Sequence, residues 1–102
     1  MIIYFMGTWY PEHKQELESV LSKYLKSNTK EKPKKINGLI VPHAGYEYSG
    51  AIAGKAFSLL KGKRIKKAVV IGPSHYVYLD DAITTNREFW ETTLGKLKII
   101  ES

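Results

Sequence analysis

Two stretches, Gly38-Leu39-Ile40-Val41-Pro42 and Ala68-Val69-Val70-Ile71-Gly72-Pro73, decide how this sequence reads. Each is a short, continuous apolar run that contains β-branched side chains and is closed by a proline. Such runs suit strands buried on both faces, as in a parallel sheet, whereas half-exposed antiparallel strands alternate apolar and polar residues. Between them, Ser49 can cap a helix carrying Ile52, Ala53, Ala56, Phe57, Leu59 and Leu60. Lys61 and Gly62 then close that helix with a cation and a glycine suited to the left-handed position past a helix end. Strand, helix and strand within roughly thirty-five residues make a βαβ unit, whose crossover is expected to be right-handed. The expected fold class is therefore α/β, a βαβ core with a mostly parallel sheet flanked by helices.

Working outward, Trp9-Tyr10-Pro11 leads into Leu17, Val20, Leu21, Tyr24 and Leu25, one apolar stripe at helical spacing. Pro11 suits a first turn, and Glu12 and Glu16 lie near the positive end of the helix dipole, so a helix is expected over residues 11–26. Residues 27–35 have no apolar side chain and include Pro33, which reads as a solvated loop. Downstream, residues 82–85 read as a third short strand, Leu94-Gly95 as a turn, and residues 96–100 as a further strand. Two helices are thin cover for a parallel sheet, and the sequence stops just past its last strand. The 102 residues thus read as a single domain, truncated at its C-terminus.

Composition narrows the function classes. Hydrophobic residues make up 43% and charged residues 25%, which is ordinary globular usage. No apolar run approaches the ~18 residues of a membrane span. Residues 1–6 are too short, and lack the basic flank, for a secretory signal, so the expected location is the cytoplasm. The absence of cysteine excludes disulfide scaffolds and thiolate metal sites from this chain alone. The formal charge is +6, with sixteen basic residues against ten acidic. Nearly all the cations are lysines, only Arg64 and Arg87 being arginine, and arginine is the preferred reader of phosphate and bases. The lysines of residues 30–35 and the cations of residues 61–67 lead into the two apolar runs, with no aromatic interleaving. That pattern weighs against a nucleic-acid partner and for a solvated, lysine-rich surface.

The chemistry-bearing residues follow the two runs. If the strands are neighbours, His43 and His75 emerge side by side at their carboxyl ends, where open α/β sheets bind ligands. A single histidine there is commonly a turn residue bonded to a backbone carbonyl. Two that converge suit a metal pair or an acid–base pair. Pro42 and Pro73 stiffen the loops, while Tyr46, Ser74 and Tyr76, with Tyr48 and Tyr78, are candidate pocket walls or half-buried packing residues. Glu47, Asp80 or Asp81 could add the carboxylate of a two-histidine, one-carboxylate iron site, against the plainer reading of solvated loop acids. Gly45, Gly50 and Gly54 miss both the P-loop and the dinucleotide patterns. His13, in a first helical turn, reads as exposed.

At these residues the sequence resembles the N-terminal part of the Memo family. The resemblance rests on Gly7-Thr8-Trp9-Tyr10-Pro11, on Val41-Pro42-His43-Ala44-Gly45-Tyr46 with Tyr48-Ser49-Gly50, and on Ile71-Gly72-Pro73-Ser74-His75-Tyr76. Trp90-Glu91-Thr92-Thr93-Leu94-Gly95 is a looser match, the family usually having proline where Thr93 stands. The resemblance implies a fold similar to class III extradiol dioxygenases and a pocket of two histidines and a later cysteine. His43 and His75 take the two histidine places; the cysteine has no counterpart here. It also implies a divalent metal, iron with copper or zinc as alternatives, and, in a completed site, oxygenase-like chemistry on a catechol-like substrate. The family's animal member is linked to cell-motility signalling and to phosphopeptide binding. Two other readings stand beside this one. The chain could be a non-catalytic module holding a peptide, small molecule or anion, or an inactive fragment. A partner chain or a homo-oligomer would complete the fold.

Overall fold

A computed structural model describes residues 6–26, 30 and 32–100. The expectations for residues 1–5 and for part of the 27–35 loop lie outside those residues. Among the described residues there are two helices, α1 (Lys14–Tyr24) and α2 (Tyr46–Ser58), followed by two strands, β1 (Phe89–Thr92) and β2 (Gly95–Lys98).

The first helix is shorter than its apolar stripe implied. It starts after His13, which makes no side-chain cap, and its first internal bond runs from the Leu17 N–H to the His13 carbonyl at 3.0 Å. Glu16 in the first turn and Lys23 in the last complement the dipole. Leu17 is buried, only 2% exposed, with Val20, Leu21 and Tyr24 half-buried beside it, so the predicted stripe is the face that packs.

The second helix begins three residues before Ser49. Gly45, in an extended conformation, is its N-cap, and the Ser49 hydroxyl instead donates back to the Ala44 carbonyl at 2.9 Å. Ser49 is therefore not the cap but a buried residue of the first turn. The face toward α1 is also not the expected one. Ser49, Gly50 and Gly54 are its buried residues, while Ile52 and Phe57 are exposed. The reason is distance: a Cβ on Gly50 would lie 2.8 Å from the Tyr24 ring, and one on Gly54 would lie 2.8 Å from the Tyr24 carbonyl carbon. Small residues let the end of α1 approach the α2 backbone closely. The helix ends at Ser58, earlier than predicted, with tight turns through residue 61 before Gly62 at φ +78°.

The sheet differs from expectation. Among the described residues there is no parallel ladder. The only sheet among them is an antiparallel hairpin, with Phe89 opposite Lys98 and Trp90 opposite Leu97. Residues 39–41 and 68–71 form no backbone–backbone hydrogen bonds among the described residues. Val69 and Ile71 are 89% and 90% exposed, and Ile40 is fully so. A parallel pair needs cover on both faces, and here the two helices pack chiefly on each other. Residues 82–85 likewise form no strand; the partner of residues 95–98 is Phe89–Thr92, whose Phe, Trp and Thr are good strand formers. The hairpin turns over Thr93 and Leu94, one residue earlier than the predicted Leu94-Gly95, and Gly95, at φ +130°, opens β2.

Residues 6–11 tie these pieces together. The Tyr46 N–H donates to the Trp9 carbonyl at 2.8 Å, fixing the start of α2. The Thr93 hydroxyl donates to the Pro11 carbonyl at 2.9 Å, fixing the hairpin turn. Within the segment, the Gly7 N–H closes onto the Tyr10 carbonyl at 2.8 Å, with Gly7 at φ +78°.

Candidate functional site

Although no ladder joins the two apolar runs, the loops that follow them do meet. His43, three residues before α2, and His75 place their Nε2 atoms 3.2 Å apart, with ring centroids 5.2 Å apart and planes inclined at 34°. Both histidines are exposed. In the metal-free state such a contact is a hydrogen bond, so one imidazole carries its proton on Nε2 and the other accepts through a bare Nε2. The same spacing suits a shared ion. Two imidazole nitrogens bound at about 2.0–2.1 Å stand about 2.8–3.4 Å apart over octahedral to tetrahedral angles. The donor pair thus fits a divalent metal, with each remaining Nδ1 carrying the proton.

The other candidates are placed less closely. The Tyr76 ring stands edge-on to His75 at 6.4 Å and its side chain is exposed. The Ser74 hydroxyl donates to the Val77 carbonyl, shaping the loop that carries His75. Glu47 lies exposed in the first turn of α2, and Asp80 and Asp81 are exposed beyond the second loop. Among the described residues, no three His, Asp or Glu side chains form a group that could hold an ion. Tyr48 and Tyr78 are exposed as well. Tyr46 differs, being half-buried against Tyr10 with ring centroids 6.0 Å apart. Burial first, and then the neighbouring Tyr10 phenol, push the Tyr46 phenol above its ordinary value; burial does the same to Tyr10.

Beside His43 lies an open groove of about 860 Å³ between the helices. Leu21, Leu25, Ala53, Phe57 and Leu60 give it apolar walls, and Pro42, His43 and Tyr46 line it too. Lys26 and Lys61 are also among the residues that line it. The two lysine-rich loops adjoin each other, the Lys63 ammonium donating to the Lys34 carbonyl at 3.5 Å.

Sequence reasoning missed the roles of Trp9, Thr93, Gly50 and Gly54. The first two act through a backbone carbonyl and a hydroxyl whose partners are distant in the chain. The glycine pair did carry a signal, since spacing by four puts both on one helix face.

The Memo-like protein family matches residues 4–102. A MEMO1 family protein of Caldivirga maquilingensis is 40% identical over 95 residues, covering 91% of this chain and 31% of its own length. One from Schizosaccharomyces pombe is 35% identical over 95 residues, covering 93% of this chain and 30% of the relative. One from Nitrosopumilus maritimus is 33% identical over 98 residues, with 91% and 36% covered. The chain spans about a third of the length of these relatives. No solved structure gives a significant match. With its whole described length inside one family match and its motif histidines in contact, this chain belongs to the Memo-like protein family.

Proposed function

We propose that the chain carries the two-histidine half of a divalent-metal pocket, of the non-haem iron type. The 3.2 Å separation of the His43 and His75 Nε2 atoms is the observation that carries this reading. A divalent ion bound there would act as a Lewis acid toward an oxygen ligand. The chain's own residues hold and orient. The two Nε2 atoms are held 3.2 Å apart, Pro42 and Pro73 stiffen the loops behind them, and the Ser74 bond to Val77 shapes the second loop. Two neutral imidazoles bind weakly, and neither Glu47 nor Asp80 groups with them, so further ligands come from water or from another polypeptide segment. In a completed pocket, the chemistry is oxygenase-like.

Zinc titration followed by NMR of the imidazole protons tests this at weak affinity. The expected result is that His43 and His75 signals move together and saturate at one zinc per chain, while His13 does not follow. Either His43→Ala or His75→Ala weakens binding at least tenfold. Independent shifts of the two rings, or equal affinity in the variants, overturn the reading. Elemental mass spectrometry of the purified chain then identifies the metal it carries.

The groove supports a second reading, a non-catalytic module that holds a peptide. Its apolar walls and two lysines suit a short acidic, leucine-containing segment. Such a peptide binding equally well to the His43→Ala, His75→Ala double variant favours this reading over the metal one.

A further inference from the structure

The positive charge of this chain is not spread evenly over it. Residues 30–35 and 61–67 hold nine of the sixteen cations, eight lysines and Arg64, against the single acid Glu31. The rest of the chain carries seven cations against nine acids, so outside these two stretches the balance is slightly negative. All nine cations are exposed. Among the described residues, the only ion pair joins Lys14 to Glu18, on α1.

The fold makes one patch of the two stretches. The Lys63 ammonium donates to the Lys34 carbonyl at 3.5 Å, which sets the second stretch against the first although 29 positions separate them. Like charges held together without acids repel one another, and an opposing field relieves that repulsion. The patch is not purely ionic. Ile65 stands between Arg64 and Lys66 with 52% of its surface exposed, and Pro33, between Lys32 and Lys34, is exposed as well.

We propose that this patch docks on an anionic lipid bilayer. Charge complementarity selects a polyanion, and three observations favour a lipid surface among polyanions. Lysine, a point charge, outnumbers arginine eight to one here, so the patch lacks the guanidinium forks that read bases and grip phosphates in pairs. Neither stretch has an aromatic side chain on which the bases of a single strand could stack. An exposed isoleucine amid cations gains nothing from a phosphate backbone. At a bilayer it enters the headgroup region while the lysine ammoniums stay with the lipid phosphates. The attraction acts over about one Debye length, ~8 Å at physiological salt. Cations must therefore reach the surface together, and the contact of Lys63 with the Lys34 loop holds them so.

Sedimentation of the chain with lipid vesicles tests this. The chain is expected to bind vesicles of equal parts phosphatidylserine and phosphatidylcholine, to ignore phosphatidylcholine alone, and to be released as salt rises. Each cation near an anionic surface strengthens binding about fivefold, so Lys32→Gln, Lys34→Gln, Lys63→Gln and Lys66→Gln together weaken it about a hundredfold or more. Arginine at the same four positions keeps the binding, which separates charge from folding. Glutamine at Lys14, Lys23, Lys96 and Lys98 removes equal charge elsewhere and costs only about fivefold. Ile65→Ser weakens binding about tenfold. Equal losses in the two glutamine variants overturn the proposal, because net charge rather than the patch is then responsible. Tighter binding to a DNA duplex than to vesicles, indifferent to Ile65→Ser, also overturns it and assigns the patch to nucleic acid. Binding to neither overturns it too, and leaves a solvated surface. No step involves metal and His43 and His75 are unchanged, so the outcome is independent of the histidine pair.

Discussion

Tyr46 shows how much one position carries. Its N–H fixes the start of α2 on Trp9, its ring packs near Tyr10, and it lines the groove beside His43. The raised phenol has a consequence at alkaline pH. A group whose value rises on folding favours its protonated form in the folded state. That contribution is fully present below the ordinary value of 10.0 and is lost as pH rises through the folded value. Tyr46→Phe is therefore expected to remove one of the two late phenols, Tyr10 being the other, from the phenolate absorbance titration and to delay alkaline unfolding, the backbone bond to Trp9 being kept. A late portion of unchanged amplitude in the variant contradicts the assignment.

At the scale of elements, the crossing of α1 and α2 rests on glycine rather than on an apolar ridge. Alanine is the better helix former by about 1 kcal/mol, so propensity alone predicts that Gly54→Ala stabilises. Steric distance predicts the reverse. The added methyl meets the Tyr24 backbone, 2.8 Å from its carbonyl carbon, and backbone at the end of a packed helix moves only with the helix. Overpacking of this kind costs about 1–3 kcal/mol, so the denaturation midpoint of Gly54→Ala should fall. Gly50→Ala meets the Tyr24 ring instead, which can rotate away, and its midpoint should change less. The hairpin depends on a different sort of contact. Thr93 reaches across the chain to Pro11, and removing that hydroxyl as Thr93→Val should cost about 1 kcal/mol. The expected sign is faster amide exchange at Ile99, whose N–H bonds the Glu88 carbonyl and extends the ladder.

Over the whole molecule, the balance of surface and core governs behaviour. Leu17 is the single buried apolar side chain among the described residues, and the radius of gyration is 14.9 Å, against about 13 Å for a compact domain of this length. So little buried apolar surface offsets only a small part of the conformational entropy lost on folding.

Much of this was legible in the chain itself. The apolar stripe of α1, a left-handed glycine in the turns that follow α2, and a chain reversal next to Gly95 are all local, and the structure has each of them, the helix end and the turn lying earlier than expected. The sequence also placed His43 and His75 after two strand-like runs, and from that placement expected them to meet. Their contact, however, arises without the ladder on which the expectation rested. Strand pairing, the helix face that packs, and the start of α2 were decided by tertiary structure. Pairing requires cover from elements distant in sequence, and helix contact depends on which backbone can come closest. Apolar periodicity registers neither, because it records where greasy side chains recur along a chain and not what lies within reach of them in space.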